Sequence, residues 1–319
     1  MHVPDGFLSA RVAGAAAVVS AAGLAFALRH TRLHLPPRRV PLLGLAAAFV
    51  FAAQMLNFPV AAGTSGHLLG AVLTAVLLGP SGAVVVLTAV LFVQCFLFAD
   101  GGVLALGANV FDMALVGGVG GFAIYRAVRR LASGFRGTIL AASFAAWCSM
   151  VLAATACAGM LAMSGTASWS AVFPAMAGVH MLIGAGEAVI TAFVLVAVGR
   201  LRPELLQAAP VPRAERYAEF AAYGLAIAAG LTLFVAPVAS GWPDGLERVA
   251  AHLGFEARAT EPRSLTVPFS DYRIPAFGGS PWATAAAGLA GTLAAFALSL
   301  VLTRALVPGT RHEAAPPDL

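Results

Sequence analysis

The stretch His67–Phe98, HLLGAVLTAVLLGPSGAVVVLTAVLFVQCFLF, decides how this chain is to be folded. It holds two apolar runs, His67–Leu78 and Gly82–Phe98, parted by Gly79-Pro80-Ser81, a group of helix breakers. The second run is long enough to cross a bilayer as a helix; the first is too short for an upright crossing. The first is therefore a half-helix or is lengthened by its flanks, and irregular backbone at that depth has to be buried in protein. Whether it crosses sets the side on which every later loop falls.

Seven more runs of the same kind lie at Val12–Leu28, Pro41–Leu56, Ala108–Val128, Thr138–Leu161, Pro174–Val198, Phe220–Val235 and Trp282–Leu306. Together they predict an all-α integral membrane protein with about nine membrane segments. The composition, 60% hydrophobic and 10% charged over 319 residues, belongs to that class. Arginines follow the first, fifth, seventh and ninth segments: Arg29, Arg32, Arg38 and Arg39; Arg126, Arg129, Arg130 and Arg136; Arg200, Arg202, Arg213 and Arg216; Arg304 and Arg311. The positive-inside rule puts all four groups in the cytoplasm. With nine crossings this is self-consistent, with the N-terminus outside and the C-terminus cytoplasmic. Without a crossing at His67–Leu78, the first two groups would face opposite sides. The charge pattern thus favours a crossing there.

The net charge of +5 does not indicate nucleic-acid binding, because the arginines sit in short loops between apolar runs. Every basic residue apart from histidine is Arg. With no Lys, a Walker-type phosphate loop is impossible, so any ATP driving this protein is hydrolysed by a partner. Cys95, Cys148 and Cys157 all lie within apolar runs and read as small buried side chains rather than a disulfide framework or a Cys-rich metal site. The start of the chain lacks the basic region of a cleavable signal, and Pro4-Asp5-Gly6 interrupts it before the first apolar run.

This topology gathers four features outside: Met1-His2, the loop Asn57–Gly66 leading to His67, the loop Asp100–Ala108, and a hydrophilic segment over 237–281. The last holds Asp244, Glu247, Glu256, Glu261 and Asp271. Pro243 at a helix start, Leu246, Val249, Ala250 and Leu253 at helical spacing, and Gly254 as a stop predict one short amphipathic helix there. Gln207–Ala214 (QAAPVPRA) reads as a linker. It divides a seven-segment module (1–206) from a two-segment module with an external loop (217–319), the whole linker region being 207–216.

Met1-His2 offers an α-amine, a peptide nitrogen and an imidazole within chelating reach. A bulky second residue is expected to block removal of Met1 and keep the amine in register. Square-planar nitrogen sites of this kind suit Ni(II) or Cu(II). The plain alternative is an arbitrary residue after a start codon. His67, at the outer mouth of its segment after Gly63-Thr64-Ser65-Gly66, is the natural fourth nitrogen; an ionisable group at a membrane boundary is a functional candidate. A metal-ligating His usually has its second ring nitrogen held by an acceptor, for which Asn57, Thr64 and Ser65 are candidates.

His180 and Glu187 lie two helical turns apart on one face of the seventh segment, suited to structural hydrogen bonding, transport or support of the site. Asp100 and Asp112 bracket a Gly-rich loop and a helix start. Gly117 and Gly121 have the spacing of close helix packing. A rival reading is an intramembrane serine protease, since Gly63-Thr64-Ser65-Gly66 and Gly79-Pro80-Ser81-Gly82 both fit G-x-S-G. Ser81 falls at the edge opposite His180, so only Ser65 with His180 satisfies the topology. A third reading is an autonomous divalent-metal permease or channel.

Met1-His2-Val3-Pro4-Asp5-Gly6-Phe7-Leu8 resembles the M-H-I-P-D-G-F-L start of the CbiM/NikM proteins, the substrate-capture (S) components of cobalt and nickel energy-coupling-factor (ECF) transporters. Asn57–Gly70, Asp100–Met113 and Gly178–Thr191 are similar to three further family signatures. Asp112 departs from the Asn expected there. Pro243-Asp244-Gly245-Leu246-Glu247 and Asp271-Tyr272 resemble the PDGLE module, an accessory related in role to the CbiN/NikN subunits. The resemblance implies Ni2+ or Co2+ as transported substrate, with no bound cofactor. It implies metal held by the Met1 amine, the His2 amide nitrogen and imidazole, and the His67 imidazole. It also implies a transmembrane coupling (T) component, two cytoplasmic ATPases, and a place in the bacterial inner (cytoplasmic) membrane.

Overall fold

The computed structural model describes residues 1–61, 63–206, 216–260, 267–278 and 280–307. The expected linker Gln207–Ala214, and Glu261, Arg213 and Arg311, lie outside the described residues. Among the described residues, eight helices are long and apolar enough to cross a membrane: α1 (Ala10–His34), α2 (Pro37–Met55), α3 (Ala71–Phe98), α4 (Leu106–Arg129), α5 (Gly134–Met163), α6 (Trp169–Leu201), α7 (Tyr217–Val238) and α9 (Pro281–Leu306). A short helix, α8 (Gly245–Leu253), lies between the last two. The expected count was nine. The difference lies in α3, which joins the second run of the His67–Phe98 stretch to the part of the first that begins at Ala71.

Gly79, inside α3, has φ 80 and ψ 163, a non-helical conformation that an L side chain rarely adopts, and Pro80 follows it. The chain doubles back there. Gly121 of α4 backs onto Val72, while Gly118, one turn earlier, faces Ala83 and Leu87. A straight helix would separate Val72 from Ala83 by about 16 Å, too far for both to meet one turn of α4. The short arm ends at Leu77 and Leu78, packed with Leu42, Leu205 and Tyr217.

All the long helices pack side by side. Their ends sort into one face carrying residues 1–8, His67, Asp100 and α8, and an opposite face where Arg39 precedes α2 and Arg126, Arg200 and Arg304 end their helices. Within the bundle, α5 lies along α6, with Trp147 Nε1 donating to Met181 O at 3.0 Å. The second module docks through α9 along α2 and through α7 beside it. Small residues allow this approach: Gly291 lies against the rings of Phe51 and Phe98, and Ala228 against Ala48 and Ala52. Ser299 Oγ donates to Leu43 O at 3.1 Å across the same seam.

The predicted amphipathic helix is α8, which buries Leu246, Val249 and Ala250. Its N-cap is Asp244, so Pro243 stands just before the cap instead of within the helix. Gly254 ends it in the left-handed conformation. A two-residue antiparallel ladder, β1 (Phe58–Pro59) with β2 (Ser65–Gly66), closes the loop before His67.

Candidate metal centre

Residues 1–8 are built into the bundle rather than resting on it as a flexible arm. Asp5 accepts hydrogen bonds from the amides of Val103, Leu104 and Ala105 at 2.9–3.1 Å, and Gly102 N donates to Val3 O at 2.9 Å. Asn109 grips the Val3 peptide at both ends: its Oδ1 accepts from Val3 N at 2.7 Å and its Nδ2 donates to Val3 O at 3.2 Å. Met1, Val3 and Phe7 are buried. The Pro4-Asp5-Gly6 turn thus has a mate in the Asp100–Asn109 loop, and together they carry the amine to the outer ends of the helices near His67.

The Met1 amine donates toward His67 Nε2 at 2.8 Å and to Asp244 Oδ2 at 2.5 Å. The His2 and His67 rings stack, with centroids 5.4 Å apart and planes 23° from parallel. His67 Nδ1 donates to Leu68 O at 3.1 Å, leaving Nε2 as its lone-pair nitrogen. That acceptor is a backbone carbonyl, not Asn57, Thr64 or Ser65. Of those three, Ser65 points its hydroxyl elsewhere, the buried Asn57 Oδ1 has no hydrogen-bond partner among the described residues, and the loop is tied through backbone bonds. Asn57 O accepts from Ser240 N, Thr64 O from Val60 N, and Ser65 Oγ donates to Trp242 O at 2.7 Å.

His2 has an acceptor oxygen beside each ring nitrogen: Nδ1 lies 3.1 Å from Asp100 Oδ1, and Nε2 lies 3.1 Å from Gln94 Oε1. A polar relay settles the second contact. Gln54 Nε2 must donate to Leu69 O (3.0 Å), because a carbonyl only accepts. Gln54 Oε1 then accepts from Gln94 Nε2 at 2.9 Å, so Gln94 presents its oxygen, and His2 Nε2 carries a proton. Glu187 anchors the far end. Its carboxylate accepts from Leu69 N at 2.6 Å and Gly70 N at 2.9 Å. Gln54, Gln94 and Asn109 were not singled out from the sequence. Their signal is weak, an amide side chain inside an apolar run.

Burial, together with the ammonium of Met1 and the His2 ring, pushes the His67 imidazole down to about 3. Burial also lowers His2, against the opposing pull of Asp100. Burial alone would raise Asp244, but the Met1 ammonium and His67 hold its carboxyl well below the usual range. Burial thus favours the neutral imidazole at both rings, the state that binds a metal; a neutral His2 with its proton on Nε2 presents an unprotonated Nδ1 beside Asp100. A cavity of about 450 Å³ opens onto His2, His67, Asp100 and Asp244.

The other expected site residues lie farther out. His180 Nδ1 donates to Met176 O at 2.8 Å, and its buried Nε2 lies under Gly245. No hydrogen bond joins Ser65 to His180: the Ser65 hydroxyl is spent on Trp242 O and His180 Nε2 has no hydrogen-bond partner among the described residues, so the nucleophile–base pair needed by the protease reading is not formed. Asp112 is buried, and neither carboxylate oxygen has a hydrogen-bond partner. Among the described residues, no three His, Cys, Asp or Glu side chains cluster to hold a metal ion.

Residues 2–205 match the family described as CbiM, the cobalt uptake substrate-specific transmembrane region, and residues 218–307 match the PDGLE domain. A putative fused nickel transport protein NikMN of Archaeoglobus fulgidus is 36% identical over 307 residues, covering 95% of this chain and 98% of that protein. A probable fused nickel transport protein LarMN of Lactiplantibacillus plantarum is 30% identical over 331 residues, covering 98% of both chains. The crystal structure of a truncated transition metal transporter is similar with a TM-score of 0.58 at 32% identity, covering 63% of this chain and 99% of that one. The chain is a multi-pass membrane protein, a transport component and not an enzyme, and it belongs to the CbiM/NikM family of substrate-capture components, here fused to a PDGLE module.

Proposed function

We propose that this protein captures Ni(II) or Co(II) at the outer membrane face for an ECF-type importer. The ligands are the Met1 amine, the His2 amide nitrogen, His2 Nδ1 and His67 Nε2. The observation that carries this reading is the 2.8 Å between the Met1 amine and His67 Nε2. Adjacent corners of a square of nitrogens bound at about 2.0 Å lie about 2.8 Å apart, so the separation of these two atoms matches that of neighbouring ligands. The fixed tautomers support the other choices. His2 Nε2 keeps its proton on Gln94, and only Nδ1 can close a six-membered chelate ring with its own amide. Nδ1 exchanges Asp100 for the metal on capture.

The amine must shed a proton, and so must the His2 amide. Affinity therefore falls as pH is lowered. Four planar nitrogens favour Ni(II) over Co(II) in the affinity order. The family description speaks of cobalt, whereas two full-length relatives are described as nickel proteins, which leans the same way.

The chain has its N-terminus outside and its C-terminus in the cytoplasm, with residues 1–206 forming the capture module and 217–319 the accessory module joined through 207–216. The two arms of α3 count as separate crossings in this arrangement, for nine in all. The arginine-bearing helix ends opposite the metal centre support it. A separate T component and two cytoplasmic ATPases supply the energy.

Metal titration of the purified protein tests the site. His2→Ala, or one residue added before Met1, is expected to abolish high-affinity binding; undiminished affinity in the extended protein would sink the amine chelate. Uptake in a host lacking the T component and ATPases would instead favour an autonomous permease.

A further inference from the structure

Every residue of the PDGLE motif touches the capture module or shapes the helix that does. Pro243 O accepts from Ser65 N at 2.9 Å, two residues before His67. Asp244 caps α8, its Oδ1 accepting from Glu247 N at 2.9 Å, while Glu247 Oε2 accepts from Asp244 N at 2.8 Å. Gly245 lies against the His180 ring, where a Cβ would approach within 2.7 Å of Nε2. Leu246 enters the central apolar core. The capping box commits Asp244 Oδ1 to the helix and turns Oδ2 onto the Met1 amine. Farther along the same module, Tyr272 OH donates at 2.5 Å to Asp100 Oδ2, whose other oxygen faces His2 Nδ1.

We propose that the accessory module forms one wall of the capture site, with Asp244 as the positioning residue that holds the Met1 amine against His67. The buried Met1 side chain and the clamped Val3 peptide bring the terminus to the site, but neither contacts the amine itself. A carboxylate mounted on a capped helix start supplies that contact through a charge-assisted hydrogen bond. The accessory module thereby preorganises the N-terminal chelate. The link to metal rests on the amine-chelate reading; the anchoring itself does not.

The absence of Lys makes a direct test available, because the Met1 α-amine is the sole primary amine in the sequence. An amine-acylating ester applied to the full-length protein near neutral pH reports how well that amine is held. Asp244→Asn and Asp244→Ser both keep a good helix cap while removing the carboxylate. Each is expected to acylate about tenfold faster than the native protein, the scale of losing a hydrogen bond to a charged group. Nickel release should accelerate in parallel, with the melting temperature unchanged. Glu247→Ala is the opposite control, weakening the cap but leaving the carboxylate, and should acylate at the native rate.

Native acylation rates in both Asp244 variants would overturn the proposal. So would a Glu247→Ala protein labelled as fast as they are, since the effect would then belong to the fold of α8. Faster acylation in a protein that binds no nickel would uphold the anchor and refute the chelate.

Discussion

In the proposed site, His2 and His67 serve as ligands because each has one nitrogen already spoken for. The acceptor on His67 is Leu68 O, and that on His2 is Gln94 Oε1. The direction of the second contact is inherited from Leu69 O through two amides, so residues remote from the imidazole choose which nitrogen of His2 carries the proton and which is left for the proposed metal. Gln94→Leu removes the acceptor and frees the ring to turn. Nickel affinity should fall by about 10–100-fold, the usual cost of losing such a partner, without loss of the folded protein in size-exclusion chromatography. Unchanged affinity by calorimetric titration would mean that Asp100 alone orients the ring. Asp112, which stands where the family pattern has Asn, lies close by in sequence to Asn109, yet it is Asn109 that grips Val3. The structure gives no partner to explain the acidic residue.

At the level of elements, the helices were legible and one of their junctions was not. Apolar runs placed every long helix, because a segment that crosses lipid has to satisfy its own backbone and leaves a continuous hydrophobic signature. The number of helices at His67–Phe98 was ambiguous. A non-helical Gly79 is a local conformation, and helical geometry is resumed directly at Pro80. The seam between α2 and α9 was invisible in the sequence, since small residues there look like any others in an apolar run. Gly291→Val should overpack this seam against Phe51 and Phe98 and destabilise the protein by about 1–3 kcal/mol. A lowered melting temperature in detergent checks this; an unchanged one would show that the rings of Phe51 and Phe98 can move aside.

At the scale of the whole molecule, the bundle keeps its two faces chemically distinct. One carries the N-terminus, a pair of stacked imidazoles and several carboxylates; the other carries the arginines that end α4, α6 and α9. The arrangement suits capture on one side and engagement of an energised partner on the other. Single cysteines placed at Ala239 and at Leu131, in a background with Cys95, Cys148 and Cys157 replaced, should react oppositely with a membrane-impermeant maleimide on intact cells. Ala239 is expected to label and Leu131 to stay protected. Labelling of Leu131 instead would reverse the proposed orientation.

The sequence by itself determined the membrane class, the approximate positions of the helices, the two matching regions and the pairing of Met1-His2 with His67. Those follow from hydrophobic length, charge bias and short motifs, all of which are local in the chain. Only the tertiary structure decided what holds that pair in place. The Asn109 clamp on Val3, the Gln54–Gln94 relay and the Asp244 carboxylate join residues 40 to 243 positions apart. Such contacts exist only once the helices have packed, because a hydrogen bond depends on distance and direction in space, and neither can be read from order along the chain.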